Sequence, residues 1–311
     1  MKRSVIIDCD PGVDDCIALM AALGSPDELD LMAVCVVAGN VSVETCFRNA
    51  RSVLALAGRE DVPVHAGCAR PLKVEPEFAD HIHGESGLGK AVLPDSLAPP
   101  SGLHAVDYLC ETLGAAAPGS ITMVITGPMT NFATALQCDP AIAEAVDELV
   151  IMGGADIEGG NITPHAEFNI YADPDAAQIV LGCGRPITLI GLDATLQFRC
   201  TPARMARMQA SKHRAPAAAT AMIGHVNDVY GKIYGAEGAA MHDPCTIGYL
   251  LAPDLFTARR TSVSVDCSAG ERRGHTAIGG VRTGSTDAIN WIRGLHAEPL
   301  FDLLLGRMER L

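Results

Sequence analysis

The sequence predicts a Rossmann-like α/β fold, with a mostly parallel central sheet flanked by helices. Three observations lead to this prediction. Short, continuous apolar runs such as "SVIID" and "SITMVITG" recur along the chain, as expected for strands buried on both faces of a sheet. Stretches with helical periodicity, such as "DDCIALMAALG", lie between these runs. Glycines close several of the helical stretches, as Gly24 and Gly58 do.

The alternation continues through about residue 195. Consecutive strand–helix units of this kind build a parallel sheet with helices on both faces. After the first strand and helix, the predicted strands are "LDLMAVCVVAG", "VPVHAG", "SITMVITG", "DELVIMGG" and "PITLIGLDA", and the predicted helices are "VETCFRNARSVLALAG", "HAVDYLCETLG", "MTNFATALQ" and "DPDAAQIVLGCG".

The rest of the chain has a different pattern. Residues 201–252 are rich in Ala and predict a helical C-terminal part. The runs "RRTSVSVDCS" and "GHTAIGGVR" predict a small antiparallel extension, and "AEPLFDLLLGRMERL" predicts a closing helix. Residues 68–102 show no clear periodicity, which is typical of a functional loop. Because no linker or repeat interrupts the chain, we expect residues 1–311 to form a single domain.

Charge and cysteine content argue against several classes of protein. The chain has 311 residues and a net charge of −14, which disfavours nucleic acid, anionic membranes and highly phosphorylated substrates as partners. Its 11 cysteines contain no C-x-x-C pair, which indicates a reducing compartment rather than a disulfide framework. We see no signal-peptide pattern and no apolar stretch near the roughly 18 residues of a membrane span. We therefore expect a cytoplasmic protein.

The stretch "VIIDCDPGVDD" crowds four carboxylates around the end of the first strand. Asp8 and Asp10 lie on one side of that strand, and Asp14 and Asp15 begin the following helix. The helix dipole favours each negative charge by only ~0.3–1 kcal/mol, whereas two like charges repel by ~4 kcal/mol at about 4 Å and an effective dielectric constant of about 20. Either some of these carboxyl groups are protonated or a cation lies between them.

A cation in this cluster would be a hard one. Carboxylate oxygens select Ca²⁺ or Mg²⁺ over zinc, and the spacing does not match an EF-hand loop. The alternative is a helix N-cap followed by a solvated turn, although a cap needs only one carboxylate.

Other segments add polar groups to the same region. Asn40 and Thr126 follow predicted strands, and the carboxyl ends of parallel strands are where sites form in α/β sheets. His242 and Asp243 precede a helical run, where a His-Asp pair alone is also typical of an N-cap and its neighbour.

The stretch "GGNITPHAEFNIYADPDAA" contributes Asn161, Glu167 and Asn169. Glu167 and Asn169 share a side if the segment is extended. Polar groups in pairs suit a vicinal diol, because each hydroxyl donates and accepts a hydrogen bond. A plain polar loop is the alternative.

With these segments in place, the chain resembles the inosine–uridine nucleoside hydrolase family almost from end to end. "DCDPGVDD" is similar to the family's N-terminal motif, and "VVAGN", "HIHGESGLG", "ITGPMTNFA", "IMGG", "AEFNIYADPDAA" and "MHDPC" follow in the family's order. The resemblance implies a Rossmann-like fold, tightly bound Ca²⁺, and hydrolysis of ribonucleosides to ribose and a free base. It also implies a homo-oligomer, either a dimer or a tetramer.

The resemblance implies roles for individual residues of this chain. Calcium would be held by Asp10, Asp15, the backbone carbonyl of Thr126, and Asp243. Asp10 would also take a proton from the attacking water, and Asp8 would be a buried carboxylate that does not reach the metal. The ribose side would comprise Asp14 and Asn169 at the 2′- and 3′-hydroxyls, Asn161 and Glu167 at the 5′ side, Asn40 beside the ribose and the water, and Met152 in the sugar pocket.

The chemistry of N-glycosidic cleavage agrees with such a set. The ribose develops oxocarbenium character, which nearby carboxylates stabilise. The departing base needs a proton or a strong hydrogen bond, and His242 is the candidate donor. An acidic pocket disfavours a 5′-phosphate, so nucleosides are expected over nucleotides.

The sequence gives less information about the base. His83 in the glycine-containing "HIHGESGLG" stretch could contact it, and Tyr230 and Tyr234 recur with Asn227 on one helix face. The alternative for the stretch around His83 is a plain polar loop. The alternative for the helix face is a set of residues with a purely structural role. The single tryptophan, Trp291, lies outside the base-facing segments, which argues against a purine-specific subgroup that stacks the base between tryptophans. We expect broad or pyrimidine-leaning specificity, with a purine (inosine) preference as the alternative.

Two competing classes remain. A haloacid-dehalogenase-like phosphatase also carries D-x-D after its first strand, but here Pro11 and Gly12 follow, and no Lys lies between Lys90 and Lys212. A non-catalytic, calcium-dependent ribose- or nucleoside-binding protein would not need His242 beside Asp243.

Overall fold

The computed structural model describes residues 2–234, 237–279 and 289–311. The strands in these ranges are β1 (Arg3–Cys9), β2 (Leu29–Val36), β3 (Val64–Ala66), β4 (Ile121–Ile125), β5 (Val146–Met152), β6 (Ile187–Ile190), β7 (Phe256–Val265), β8 (Thr276–Gly279) and β9 (Ile289–Leu295). The α-helices are α1 (Val13–Leu23), α2 (Val43–Ala57), α3 (Asp80–His83), α4 (Ala105–Ala115), α5 (Thr130–Cys138), α6 (Phe168–Ala172), α7 (Pro174–Leu181), α8 (Leu192–Thr195), α9 (Pro202–Ala210), α10 (Arg214–Tyr234), α11 (Pro244–Leu251) and α12 (Ala297–Met308). Two 3₁₀ helices cover Pro140–Ala145 and Pro253–Leu255.

The strands form one sheet in the order β3-β2-β1-β4-β5-β6-β9-β7-β8. Each neighbouring pair from β3 to β9 is parallel, whereas β7 runs antiparallel to both β9 and β8. The predicted fold class is therefore confirmed, including the antiparallel extension and the helices between residues 201 and 252. The sequence analysis did not identify β9, which adds a parallel strand far beyond residue 195.

The central strands are buried on both faces of the sheet. In β1, Ile7 packs into one hydrophobic cluster and its neighbour Ile6 into the other, because successive side chains of a strand point to opposite faces. All five residues of β4 are buried. The unbroken apolar runs of the sequence thus correspond to strands covered by helices on both sides.

Helix α1 is buried along its whole length and packs against α2, α10, α11 and α12. Its close approach to α12 depends on Gly24, where a Cβ atom would lie 2.1 Å from the carbonyl oxygen of Arg307. The apolar composition of "DDCIALMAALG" reflects this all-round burial rather than a one-sided amphipathic helix.

The carboxyl ends of β1, β2, β4, β5 and β6 lie along the same edge of the sheet, because these strands are parallel. Within residues 68–102 the only α-helix that the structure assigns is α3, which lies at this edge of the sheet. Ser96, Leu97 and Ala98 instead bond to Glu60, which precedes β3. None of the helices in the described ranges has both the length and the apolar composition needed to cross a membrane.

Candidate active site

Asp10 follows the end of β1 and is completely buried. Its Oδ2 accepts a hydrogen bond from the backbone N–H of Asn40 at 2.7 Å. Its Oδ1 is buried and has no hydrogen-bond partner within the described part of the chain. Gly39 and Gly127 flank the carboxyl group so closely that a Cβ atom would lie 2.1 Å and 2.6 Å, respectively, from its oxygens. The backbone is therefore shaped around one carboxylate with a free acceptor position.

Asp15 accepts hydrogen bonds from four groups, one of which is the Asp10 N–H at 3.4 Å. Its Oδ2 accepts from the Gly12 N–H at 3.2 Å, which completes the first turn of α1, and from Asn40 Nδ2 at 3.1 Å. Its Oδ1 accepts from the hydroxyl of Thr126 at 2.8 Å. Asp15 thus caps α1 from inside the protein, with no solvated turn around it.

Carboxylates from two distant segments meet at this point. Oxygens of Asp14, Asp15 and Asp243 lie within 4.8 Å of one another, and Asp10 is in electrostatic contact with Asp14 and Asp15. Burial raises the pKa of Asp15 to about 7, and it also raises the pKa values of Asp10 and Asp243 well above the usual range. The negative charge of the neighbouring carboxylates raises these values further.

The donor set fits a hard cation. It offers carboxylate oxygens of Asp14, Asp15 and Asp243 and the unpartnered Oδ1 of Asp10. Thr126 adjoins the cluster through the bond of its hydroxyl to Asp15. A divalent cation would offset the cost of burying several carboxylates without counter-charge, and oxygen ligands are those that Ca²⁺ and Mg²⁺ prefer. Asp8, the remaining acid of the motif, points elsewhere and accepts from Asn131 Nδ2 at 2.8 Å.

His242 and Asp243 precede α11, which begins at Pro244. Asp243 is the N-cap residue of this helix, as the alternative interpretation had it, but its side chain makes no cap bond, so the carboxylate is not used in capping. The Nδ1 atom of His242 lies 2.7 Å from Oγ1 of Thr195, and its Nε2 is buried without a partner among the described residues. Burial lowers the pKa of His242, so the neutral ring is favoured.

Asn169 lies in the first turn of α6 and lines the same cavity. Its Nδ2 donates to the carbonyls of Thr126 at 2.7 Å and Met152 at 3.2 Å. These bonds tie α6 to the ends of β4 and β5. The Asn169 side-chain carbonyl is not used in these bonds.

Glu167 caps α6, so the segment from Glu167 to Asn169 is helical rather than extended, and both side chains line the same cavity. Its Oε1 accepts from the Asn169 N–H at 2.9 Å, and its Oε2 accepts from the N–H groups of Gly154 at 3.0 Å and Ile170 at 3.3 Å. Burial raises the pKa of Glu167 to about 7. Nearby, the side-chain carbonyl of Asn161 accepts from the Phe168 N–H at 2.9 Å.

His83 lies at the end of α3, where its Nδ1 accepts from the Val13 N–H at 3.0 Å. The bond fixes the ring above the start of α1 and leaves the proton of a neutral imidazole on Nε2. Burial lowers the pKa of His83. Tyr230 is partly buried on α10, whereas the side chain of Tyr234 lies outside the described residues. Asn227 instead accepts from the Ala239 N–H at 2.7 Å, a structural contact.

One cavity brings most of the predicted residues together. Asp10 and Asp15 are completely buried and do not line it, and Trp291 does not line it either. The predicted residues that line the cavity are Asp14, Asn40, His83, Thr126, Met152, Asn161, Glu167, Asn169, Tyr230, His242 and Asp243.

The sequence analysis missed several side chains of the cavity. His81 was visible as the first half of the HxH pair. Phe168 and the α10 residues Ile223 and Val226 carried no signal that distinguishes them from core residues. The further lining residues not identified from sequence are Val13, Ala79, Ile82, Ile162 and Ala240.

Residues 5–302 match a family described as inosine-uridine preferring nucleoside hydrolase. Over 281 residues the chain is 42% identical to the pyrimidine-specific ribonucleoside hydrolase RihA of Photobacterium profundum, and the alignment covers 89% of each protein. These matches extend over the whole region that carries the site.

Solved structures give the same result. A plant nucleoside hydrolase, PpNRh1, superposes with a TM-score of 0.92 at 34% identity and 99% coverage of both chains. A purine-preferring ribonucleoside hydrolase from Gardnerella vaginalis superposes with a TM-score of 0.91 at 31% identity, with coverage of 99% of this chain and 98% of that one. The chain belongs to the inosine-uridine preferring nucleoside hydrolase family and is an N-glycosyl hydrolase that acts on ribonucleosides.

Proposed function

We propose that the protein hydrolyses ribonucleosides to ribose and a free base in a calcium-dependent reaction. The observation that carries this proposal is the buried Oδ1 of Asp10, which has no partner in the described ranges and is in electrostatic contact with Asp14 and Asp15. Several carboxylates that are buried together are costly unless a cation accompanies them.

Asp10, Asp15, Asp243 and the backbone carbonyl of Thr126 would hold the ion. Asp14 belongs to the same cluster and lines the cavity, and we assign it to the ribose hydroxyls, as the family resemblance implies. Bound calcium would lower the pKa of a water molecule and orient the diol.

The protein groups would then act on the ribose from two sides. Asp14 and the free carbonyl of Asn169 would accept hydrogen bonds from the diol, while Asn161 and Glu167 would lie at the 5′ side and Met152 against the sugar. Asp10 would accept the proton of the attacking water at Oδ1, with Asn40 beside it. The carboxylates would stabilise the positive charge that develops on the ribose ring.

At the base end, His242 would donate from Nε2 to the departing base. His83 and Tyr230 would contact the base from α3 and α10, and we extend this role to Tyr234 as a prediction from the sequence. Among the described residues, no tryptophan lines the cavity.

We propose a broad or pyrimidine-leaning specificity, supported by the 42% identity to a pyrimidine-specific relative. Inosine preference is the alternative, and the similarity to a purine-preferring structure favours it. Initial rates of ribose release from inosine, adenosine, uridine and cytidine at equal concentrations test the proposal. Rates for uridine and cytidine that equal or exceed the purine rates support it, and a preference for inosine above about tenfold contradicts it.

We further propose that the protein acts in the cytoplasm as a homo-oligomer. All 11 cysteines are free thiols, in keeping with a reducing compartment. Light scattering coupled to gel filtration measures the oligomeric state, and a mass of two or four chains is expected.

A further inference from the structure

Thr195 lies at the end of α8, the short helix that follows β6, and is completely buried. Its Oγ1 lies 2.7 Å from Nδ1 of His242, which is contributed by the segment before α11. No sequence motif indicates Thr195, and the assignments above give it no role.

We propose that Thr195 is a positioning residue that holds His242 as a hydrogen-bond donor toward the leaving base. This inference rests on the proposed role of His242 in base departure. Part of the proposal is that the Thr195 hydroxyl donates to Nδ1, which places the proton of the neutral imidazole on Nε2.

The surroundings of the ring leave Nε2 available to a ligand. Nε2 is buried and has no acceptor within the described part of the chain, although His242 lines the cavity. A buried donor without a protein partner is costly unless a ligand supplies the acceptor, and the ring nitrogen of a base is such an acceptor.

Thr195 is suited to this task because its position is fixed. Its backbone N–H donates to the carbonyl of Gly191 at 3.1 Å, and its β-branched side chain has few rotamers. The hydroxyl can therefore set both the angle of the ring and the location of its proton.

The test compares Thr195→Val, which keeps the shape and removes the hydroxyl, with Thr195→Ser, which keeps the hydroxyl. We expect Thr195→Val to lower kcat about tenfold for inosine and uridine and no more than about twofold for p-nitrophenyl riboside, whose leaving group needs no proton. Thr195→Ser is expected to stay within about threefold of the parent for all three substrates. Equal losses of Thr195→Val on all substrates, where His242→Ala distinguishes the substrates, would overturn the proposal.

A second experiment tests whether Thr195 acts through His242. In the His242→Ala background, Thr195→Val should cause no further loss of kcat, because the group that it positions is gone. A further loss of about tenfold in that background would contradict the proposal.

A spectroscopic experiment distinguishes the positioning role of Thr195 from the proposed acid role of His242. In long-range ¹H–¹⁵N spectra of histidine-labelled protein, assigned with His242→Ala, we expect the Nε2–H tautomer in the parent and a mixed population in Thr195→Val. If His242→Ala itself slows all substrates equally, the acid role fails, and the spectrum decides on Thr195 alone. An unchanged tautomer in Thr195→Val would then overturn the positioning role.

Discussion

At the scale of single residues, Asp10 is a completely buried carboxylate, and burying its negative charge is costly unless a cation accompanies it. Its Oδ2 is fixed by Asn40, and its Oδ1 has no partner among the described residues. The turns that contain Gly39 and Gly127 lie against this carboxylate, so a variant without it loses the group that both turns adjoin.

We expect Asp10→Ala to lower kcat by about 10²–10³-fold or more and to weaken calcium retention, because it removes both a ligand and the proton acceptor. Ribose release and elemental analysis of the dialysed protein measure the two effects. Asp107→Ala, on the exposed side of α4, is the matched control. Near-normal activity of Asp10→Ala would disprove the assignment of the metal site.

His242→Ala should slow cleavage of inosine and uridine by about 10²–10⁴-fold and cleavage of p-nitrophenyl riboside much less. The reason is that p-nitrophenolate departs without a proton. Steady-state kinetics on both substrate types measures the difference. Similar losses on the two would remove His242 from the role of donor.

At the scale of elements, the site depends on close backbone approach between strand ends. Gly127 follows β4, and a Cβ there would lie 2.6 Å from Oδ1 of Asp10. The turn after β4 can therefore pass the carboxylate only without a side chain.

We expect Gly127→Ala to displace Asp10, lower calcium affinity and reduce kcat by more than about tenfold. The matched control is Gly114→Ala in α4, where a Cβ meets nothing within 4 Å. Alanine also has a higher helix propensity than glycine. Calorimetric titration with calcium measures the calcium affinity of both variants, and an assay of ribose release measures their kcat. Unchanged calcium affinity in Gly127→Ala would show that the cluster tolerates the displacement.

Elements also show what the sequence could and could not predict. Asp10, Asn40, Thr126 and Asp243 were predictable as one cluster because they follow strands or precede a helix at one edge of a parallel sheet. The residues of α10 that line the cavity were not predictable, because Ile223 and Val226 have the same spacing as ordinary core residues.

At the scale of the whole molecule, parts of the chain that are far apart in sequence complete the fold. β9 extends the parallel sheet, and its first residue follows a segment with no apolar run, so no strand–helix alternation indicated it. That residues 1–311 form a single domain stays a prediction, which the continuous sheet supports.

The stability of the whole protein should depend on pH and calcium together. Burial raises the folded-state pKa values of Asp8, Asp15 and Glu167 to about 7, whereas unfolded carboxyl groups titrate near 3.8 for Asp and 4.5 for Glu. Between these values the calcium-free folded state binds more protons than the unfolded state. Its free energy of unfolding should therefore fall as the pH rises from about 4 to about 7.

Calcium should reverse part of this decline, because the ion requires ionised ligands. We expect the increase in Tm on addition of calcium to be several degrees larger at about pH 7.5 than at about pH 5. Thermal unfolding with chelator and with excess calcium at both pH values measures it. An increase in Tm that does not depend on pH would contradict this linkage.

The most direct test of the central claim is ribose release from uridine and inosine before chelation, after chelation, and after calcium is restored. We expect turnover that chelation abolishes and that calcium restores to the original rate. Full activity in the chelated protein, with no calcium detectable by elemental analysis, would contradict it.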